Sequence, residues 1–147
     1  MSAPSDSDLQ MITFTLDGAT YGVGVDEVAE VLRMVEVQQL PQAPHWMAGM
    51  IDLRGAIAPI IDLRARLAMT QLPYDLNTSI IVLRHGEGRH VGMIVDAIDD
   101  LVTVDRGQVE QRDGNPSLKG VARCDQQLIM MLDIAPITRD AMSALDS

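Results

Sequence analysis

Gly22-Val23-Gly24-Val25-Asp26-Glu27-Val28-Ala29-Glu30-Val31 returns further along the chain as Gly92-Met93-Ile94-Val95-Asp96-Ala97-Ile98-Asp99-Asp100-Leu101. Glycine, valine and aspartate keep their spacing, and three later positions are conservative: Val28/Ile98, Glu30/Asp100 and Val31/Leu101. A second echo follows, in which Gly49, Ile57, Ile60, Ile61, Asp62 and Leu63 correspond to Gly120, Leu128, Met131, Leu132, Asp133 and Ile134. Order and spacing both survive, which marks a tandem duplication. Duplication yields two similar modules with a groove between them, an arrangement suited to gripping a partner more than to chemistry.

Outward from the repeat, residues 11–16 alternate apolar and polar as a half-buried strand does, and Asp17-Gly18 turns the chain into a returning strand over 21–25. The second unit repeats this with strands over 80–83 and 90–95 around Gly86-Glu87-Gly88. Asp26 and Asp96 then stand where a helix cap accepts free backbone N–H groups, which predicts a single helical turn at each, followed by strands over 31–37 and 101–104. Residues 40–44, with Pro41 and Pro44, must be an extended loop. Hairpins are expected over 47–53 and 56–61 about Arg54-Gly55, and over 119–124 and 127–132. Asp62 is expected to cap a helix over 63–68, and Asp133 a C-terminal helix that frays after Arg139. Residues 69–77 link the units, and 105–117 form a polar excursion.

About five short strands per unit are too many for an open sheet of that length, and closing each unit into a small barrel removes its edges. The expected fold is mostly β: two pseudo-equivalent five-stranded barrels sharing one core, with short helices. Residues 1–10 are expected as a disordered tail and 11–139 as a single domain. Its lobes lie over about 11–68 and 78–134, with strand exchange between them an open alternative, and 140–147 form a fraying tail.

Hydrophobic residues make up 47% of the 147-residue chain, yet only Phe14, Tyr21, Trp46 and Tyr74 are aromatic, so the core is aliphatic and methionine-rich. The net charge of −10 argues against nucleic acid and anionic membrane surfaces, both of which need clustered Lys and Arg. Cys124 is the single cysteine, which fits a reducing cytoplasm. No apolar run is long enough for direct membrane insertion, and the N-terminus lacks the layout of a signal peptide.

Catalytic patterns are missing. His45, His85 and His90 lie near turns without the companions of a metal set, and Cys124 has no nearby histidine to activate it. Gly22-x-Gly24 and Gly86-x-Gly88 lack the third glycine of a dinucleotide fingerprint. The repeated aspartates Asp26, Asp62, Asp96 and Asp133 are explained as caps. The chain reads as a non-enzyme with no cofactor.

The most distinctive stretch runs from Met47 to Arg64, where Arg54 places a guanidinium at a tight hairpin and Pro59 is tolerable only at an edge or bulge. Arg54 has two readings on physics alone: a local ion pair with Asp52 or Glu30, or an anchor for a partner. Leu40-Pro41, Pro44, Gly49, Ile51-Asp52-Leu53-Arg54-Gly55, Pro59 and Asp62-Leu63-Arg64 together resemble the signature of the CheW family of chemotaxis coupling proteins. Tyr21-Gly22, Val25-Asp26-x-Val28-x-Glu30-Val31, Val91-Gly92 and Val95-Asp96 agree with the same family in order and spacing. The resemblance runs from about Phe14 to Ile137.

It implies two SH3-like barrels and a non-catalytic adaptor that bridges the cytoplasmic tip of a chemoreceptor to the regulatory domain of a CheA histidine kinase. It further implies kinase binding at Val28 and Gly49, and receptor binding at Val25, Glu30, Arg54, Ser79 and Ile98. Ser79 stands where the family commonly has an aliphatic residue, and Asp52 replaces a frequent asparagine, adding charge near Arg54.

Overall fold

The computed structural model describes residues 8–111 and 114–147. Strands β1 (Asp8–Leu16) and β2 (Ala19–Gly24) form the first hairpin, and a short 3₁₀ turn (Val25–Glu27) leads to β3 (Val28–Arg33). The second hairpin is β4 (Met47–Leu53) with β5 (Ala56–Asp62), followed by helix α1 (Leu63–Arg66). The third is β6 (Ser79–Arg84) with β7 (His90–Val95), which passes into the long β8 (Ala97–Asp105) and the two-residue β9 (Val109–Glu110). A fourth hairpin, β10 (Leu118–Cys124) with β11 (Gln127–Leu132), precedes helix α2 (Ile134–Asp146). Asp17-Gly18, Arg54-Gly55 and Asp125-Gln126 all hold positive φ at both turn positions. That is the two-residue turn whose twist suits an antiparallel hairpin.

The strands sort into two sheets, β8-β1-β2-β11-β10-β9 and β3-β6-β7-β5-β4. Each therefore draws hairpins from both repeats. The first repeat's β1–β2 hairpin joins the second repeat's strands, with β2 parallel to β11 at Tyr21↔Met130. The second repeat's β6–β7 hairpin joins the first repeat's strands, with β7 parallel to β5 at Gly92↔Ile60. Of the two alternatives the sequence left open, closure of each repeat on itself and strand exchange, the structure has exchange: the units are interleaved. Parallel neighbours need long connections, and the interleaving supplies them.

Closure of both barrels depends on a repeated glycine. In the five-stranded sheet the chain beyond β3 returns to β4 through paired hydrogen bonds between Gln38 and Met50, N–H to O at 2.9 and 2.8 Å. A Cβ on Gly49 would collide with the Gln38 carbonyl. In the other sheet β9 closes on β10, and a Cβ on Gly120 would lie 2.9 Å from the Glu110 carbonyl. Pro59 is accommodated because β5 meets β7 only at Ile60, Ile61 and Asp62, which leaves Pro59 beyond the doubly flanked part of the strand.

Three apolar clusters follow from strands buried on both faces. Phe14, Leu16, Val23, Ile61, Ile81, Leu83, Met93 and Leu132 meet between the sheets in a joint core that also takes α2. Met11, Val104, Ala122, Ile129 and Met131 fill one barrel, and Ile60, Ile80, Val82 and Ile94 fill the other. Successive residues (Ile60/Ile61, Ile80/Ile81) point to different cores, as the strand period of two requires. The core is thus one shared cluster plus one inside each barrel.

Several expectations need correction. Asp8, Leu9 and Gln10 belong to β1, not to a tail, while residues 1–7 lie outside those described. Within 105–117, residues 106–108 form a 3₁₀ turn and Val109–Glu110 a strand, while 112–113 lie outside those described. β3 spans Val28–Arg33, ending short of residue 37, and α1 stops at Arg66 because Ala68 takes positive φ. The helix α2 does not fray after Arg139. Its buried face, Ile134, Ile137, Thr138, Ala141 and Met142, follows helical spacing into the joint core. Arg66 pairs with Asp140 at 2.7 Å and Arg89 with Asp146 at 2.9 Å, so two distant arginines fasten its second half.

Candidate partner-binding site

Between β2 and β3 the chain crosses from one sheet to the other, and between β7 and β8 it crosses back. Of the residues expected to bind partners, Val25, Val28, Glu30 and Ile98 lie at or just after these two crossings, whereas Gly49 and Arg54 belong to the β4–β5 hairpin. Val25 opens the 3₁₀ turn of the first, and Val28 and Glu30 follow on β3. Ile98 follows the second, opposite Phe14, where the β1–β8 register slips. Ser79 starts β6 opposite Arg33, and its hydroxyl donates to the Asn77 carbonyl at 3.0 Å.

Arg54 and Glu30 are brought together directly. Arg54 sits at the tip of the β4–β5 hairpin, whose turn is fastened by the Gly55 N–H donating to Asp52 Oδ1 at 2.8 Å. With Asp52 so engaged, the guanidinium reaches β3 instead. Its Nη2 donates to Glu30 Oε1 at 3.1 Å, and Nη1 lies 2.5 Å from Oε2, out of line for a second hydrogen bond. The Arg54 side chain is 77% exposed and that of Glu30 20%, so the pair offers a solvent-facing cation over a half-sheltered carboxylate. An exposed pair of this kind contributes only about 0–1 kcal/mol to stability.

The two kinase-directed residues are buried. Val28 is 8% exposed and belongs to the joint core, and Gly49 is covered by the Gln38 backbone. A charge placed at Val28 therefore disturbs folding before it tests binding. The accessible apolar residue on the Gly49 hairpin is Ile57, 51% exposed, and its repeat equivalent Leu128 is also exposed. Val31 and Leu101, the equivalents on β3 and β8, are exposed too. Both repeats thus present apolar side chains at matching places.

The repeated aspartates do not share one role. Asp62 and Asp133 accept from the Ala65 and Ala135 N–H groups and cap α1 and α2. Asp26 and Asp96 are not caps. Gly24 heads the 3₁₀ turn and donates its own N–H to the Glu27 carboxylate at 2.8 Å, while Asp96 lies in a bend. Asp96 instead receives a two-pronged pair from the buried Arg64: Nε to Oδ1 at 2.8 Å and Nη2 to Oδ2 at 2.6 Å. That hydrogen bond holds the Asp96 carboxyl below the usual carboxylate range; burial opposes the shift and the Asp17 N–H reinforces it. Tyr74 donates to Asp62 at 2.9 Å, and burial first, then Asp62, raises its phenol well above the ordinary range. Arg64–Asp96 was not singled out from sequence. The available signal was an arginine just after a capping aspartate, with the apolar Ala135 as its repeat partner.

Acid should expose this pair. A carboxyl with a lowered folded pKa stabilises the fold above its unfolded value, near pH 4. The contribution fades as pH falls through the lower folded value. The stability gap between the wild type and Asp96→Asn, measured by urea denaturation, is therefore expected to be constant near pH 7 and to narrow below about pH 4. A gap that stays constant to pH 2 would show the pair contributes nothing through ionisation.

Among the described residues no helix is long and apolar enough to cross a membrane, and no three metal-ligating side chains converge.

The CheW-like domain model matches residues 10–142. The chain belongs to the CheW-like domain family. It is 30% identical to chemotaxis protein CheW of Klebsiella aerogenes over 92% of this chain and 85% of that one. Against chemotaxis protein CheW of Bacillus subtilis the identity is 28%, over 90% and 88%. Protein PilI of Pseudomonas aeruginosa is 31% identical over 59% of this chain and 48% of its own length. The solved scaffolding protein TtCheW from Thermoanaerobacter tengcongensis superposes with a TM-score of 0.79 at 27% identity, covering 85% of this chain and 88% of that one. The paired SH3-like barrels are therefore the CheW-like fold.

Proposed function

We propose that this protein is a non-catalytic adaptor that couples chemoreceptors to a CheA-type histidine kinase, in the cytoplasm at membrane-associated receptor arrays. The observation that carries this reading is CheW-like identity along nearly the whole chain, with likeness to named chemotaxis and scaffolding proteins over almost their full lengths. The exposed Arg54 over Glu30, with Val25, Ser79 and Ile98 near the crossings, supports a receptor face. The hairpin that carries Gly49 and the exposed Ile57 supports a kinase face. Apolar contacts supply most of the affinity in such interfaces and charges supply register.

Calorimetric titration into the regulatory domain of a CheA kinase from the same organism tests this. Saturable binding is expected, weakened about tenfold or more in Ile57→Asp, whose exposed site leaves the core intact. Absence of binding to every CheA regulatory domain of that organism would overturn the reading. A second reading keeps the adaptor role but changes the output, to pilus motility for instance. The likeness to PilI favours it, and binding to the kinase of that system alone would select it.

A further inference from the structure

The Arg64 side chain is 10% exposed, and its guanidinium ties together three separate segments. Beyond its paired bonds to Asp96, Nη1 donates to the Thr70 carbonyl of the linker at 2.9 Å and lies 3.3 Å from Asp17 Oδ1 in the β1–β2 turn. Asp96 is held from the other side as well: it accepts the Asp17 N–H at 2.9 Å, and its own N–H donates to the Thr15 carbonyl at 3.2 Å. β8 starts at the next residue. Ala97 pairs with Thr15, and Ile98 pairs with Phe14 across the register slip. Where β8 leaves the crossing, and so where Ile98 is presented, depends on Asp96.

The duplication shows that the repeat does not require this arginine to fold. At the equivalent place in the other copy, Asp133-Ile134-Ala135 replaces Asp62-Leu63-Arg64, and Asp26, the equivalent of Asp96, is exposed. That copy builds the same strand, crossing and strand with a different cation used differently: Arg84 donates to the Asp26 and Val28 carbonyls and, among the described residues, bridges no carboxylates there. We propose that Arg64 is a positioning residue for the receptor face, fixing the start of β8 and thereby Ile98 through its clasp on Asp96 and Asp17. The proposal rests on the adaptor reading above. Without Arg64 the two carboxylates, one from the β1–β2 turn and one from the crossing, face each other with no cation between them. A bidentate guanidinium is the group that holds such a site rigid; a lysine ammonium makes point contacts only.

The test uses the full chain, Arg64→Met and the milder Arg64→Lys, with two readouts. Amide hydrogen exchange over 97–99 is expected to accelerate about tenfold or more in Arg64→Met, and less in Arg64→Lys, while the barrel interiors keep their protection. Binding to a soluble fragment bearing the cytoplasmic hairpin tip of a chemoreceptor is expected to fall about tenfold, with kinase-domain affinity within about twofold of wild type. Unchanged exchange at 97–99 in a folded variant would overturn the clasp, as would equal loss of affinity for both partners. Should Arg64→Met not fold, the same criteria apply to Arg64→Lys. If the wild type itself ignores the receptor fragment, the adaptor reading is what fails, and the exchange result alone judges the clasp.

Discussion

Arg54→Glu leaves the protein folded and weakens binding to a receptor hairpin by about thirtyfold or more. The side chain is mostly in water and its pairing with Glu30 contributes about 0–1 kcal/mol, so the urea midpoint should scarcely move. The binding consequence is far larger. The substitution replaces the cation over Glu30 with a carboxylate, and half-sheltered Glu30 then faces like charge at the rim where register is set. Losing an interface anchor of this type costs about 2 kcal/mol or more, a drop of about thirtyfold in affinity. Titration of the variant with a receptor fragment reads this directly. Wild-type affinity in a folded Arg54→Glu protein would remove Arg54 from the receptor face.

Phe14→Ala has the largest expected effect on stability. Phe14 is fully buried in the joint core, its ring stacked on Tyr21 at 5.9 Å between centroids. It also sits on β1, between β2 and β8. Emptying such a site costs about 3–5 kcal/mol, a large share of the about 5–15 kcal/mol that holds a domain folded. Urea denaturation should show a much lower midpoint, whereas Leu128→Ala, at an exposed position, should stay within about 0.5 kcal/mol. A loss under about 1 kcal/mol for Phe14→Ala would mean that the seam between the sheets is not what holds the molecule together.

What the sequence made legible was local. Hairpins announced themselves through Asp17-Gly18 and Arg54-Gly55, because few residues accept positive φ and those that do mark the turn. Continuous apolar runs such as Ile80-Ile81-Val82-Leu83 signalled burial on both faces. Which strand lies beside which was not legible, since β2 and β11 are partnered across almost the whole chain and no periodicity records that. Asp26 and Asp96 were misread for a related reason: a cap is a local event, whereas the bond from Arg64 to Asp96 comes from a distant segment. The same holds for α2, whose second half is fastened by Arg66 and Arg89. Of the site, Arg54 with Glu30 was open as one of two pairings, and the turn bond taken by Asp52 accounts for the outcome. The burial of Val28 was not readable, because its neighbours in the joint core come from both sheets.

The interleaving of the repeats also bears on how the protein is made. β1 and β2 leave the ribosome before the other strands of the domain, yet their sheet gains β8 and β11 only when most of the domain has been synthesised. A nascent chain that has reached the linker carries two hairpins with unpaired edges and no finished barrel. Assembly must wait for distant contacts, which slows folding and lengthens exposure of those edges. Once made, neither half can be cut away as an independent module, so a chain truncated before β11 is expected to be a substrate for quality control and not a working half-adaptor.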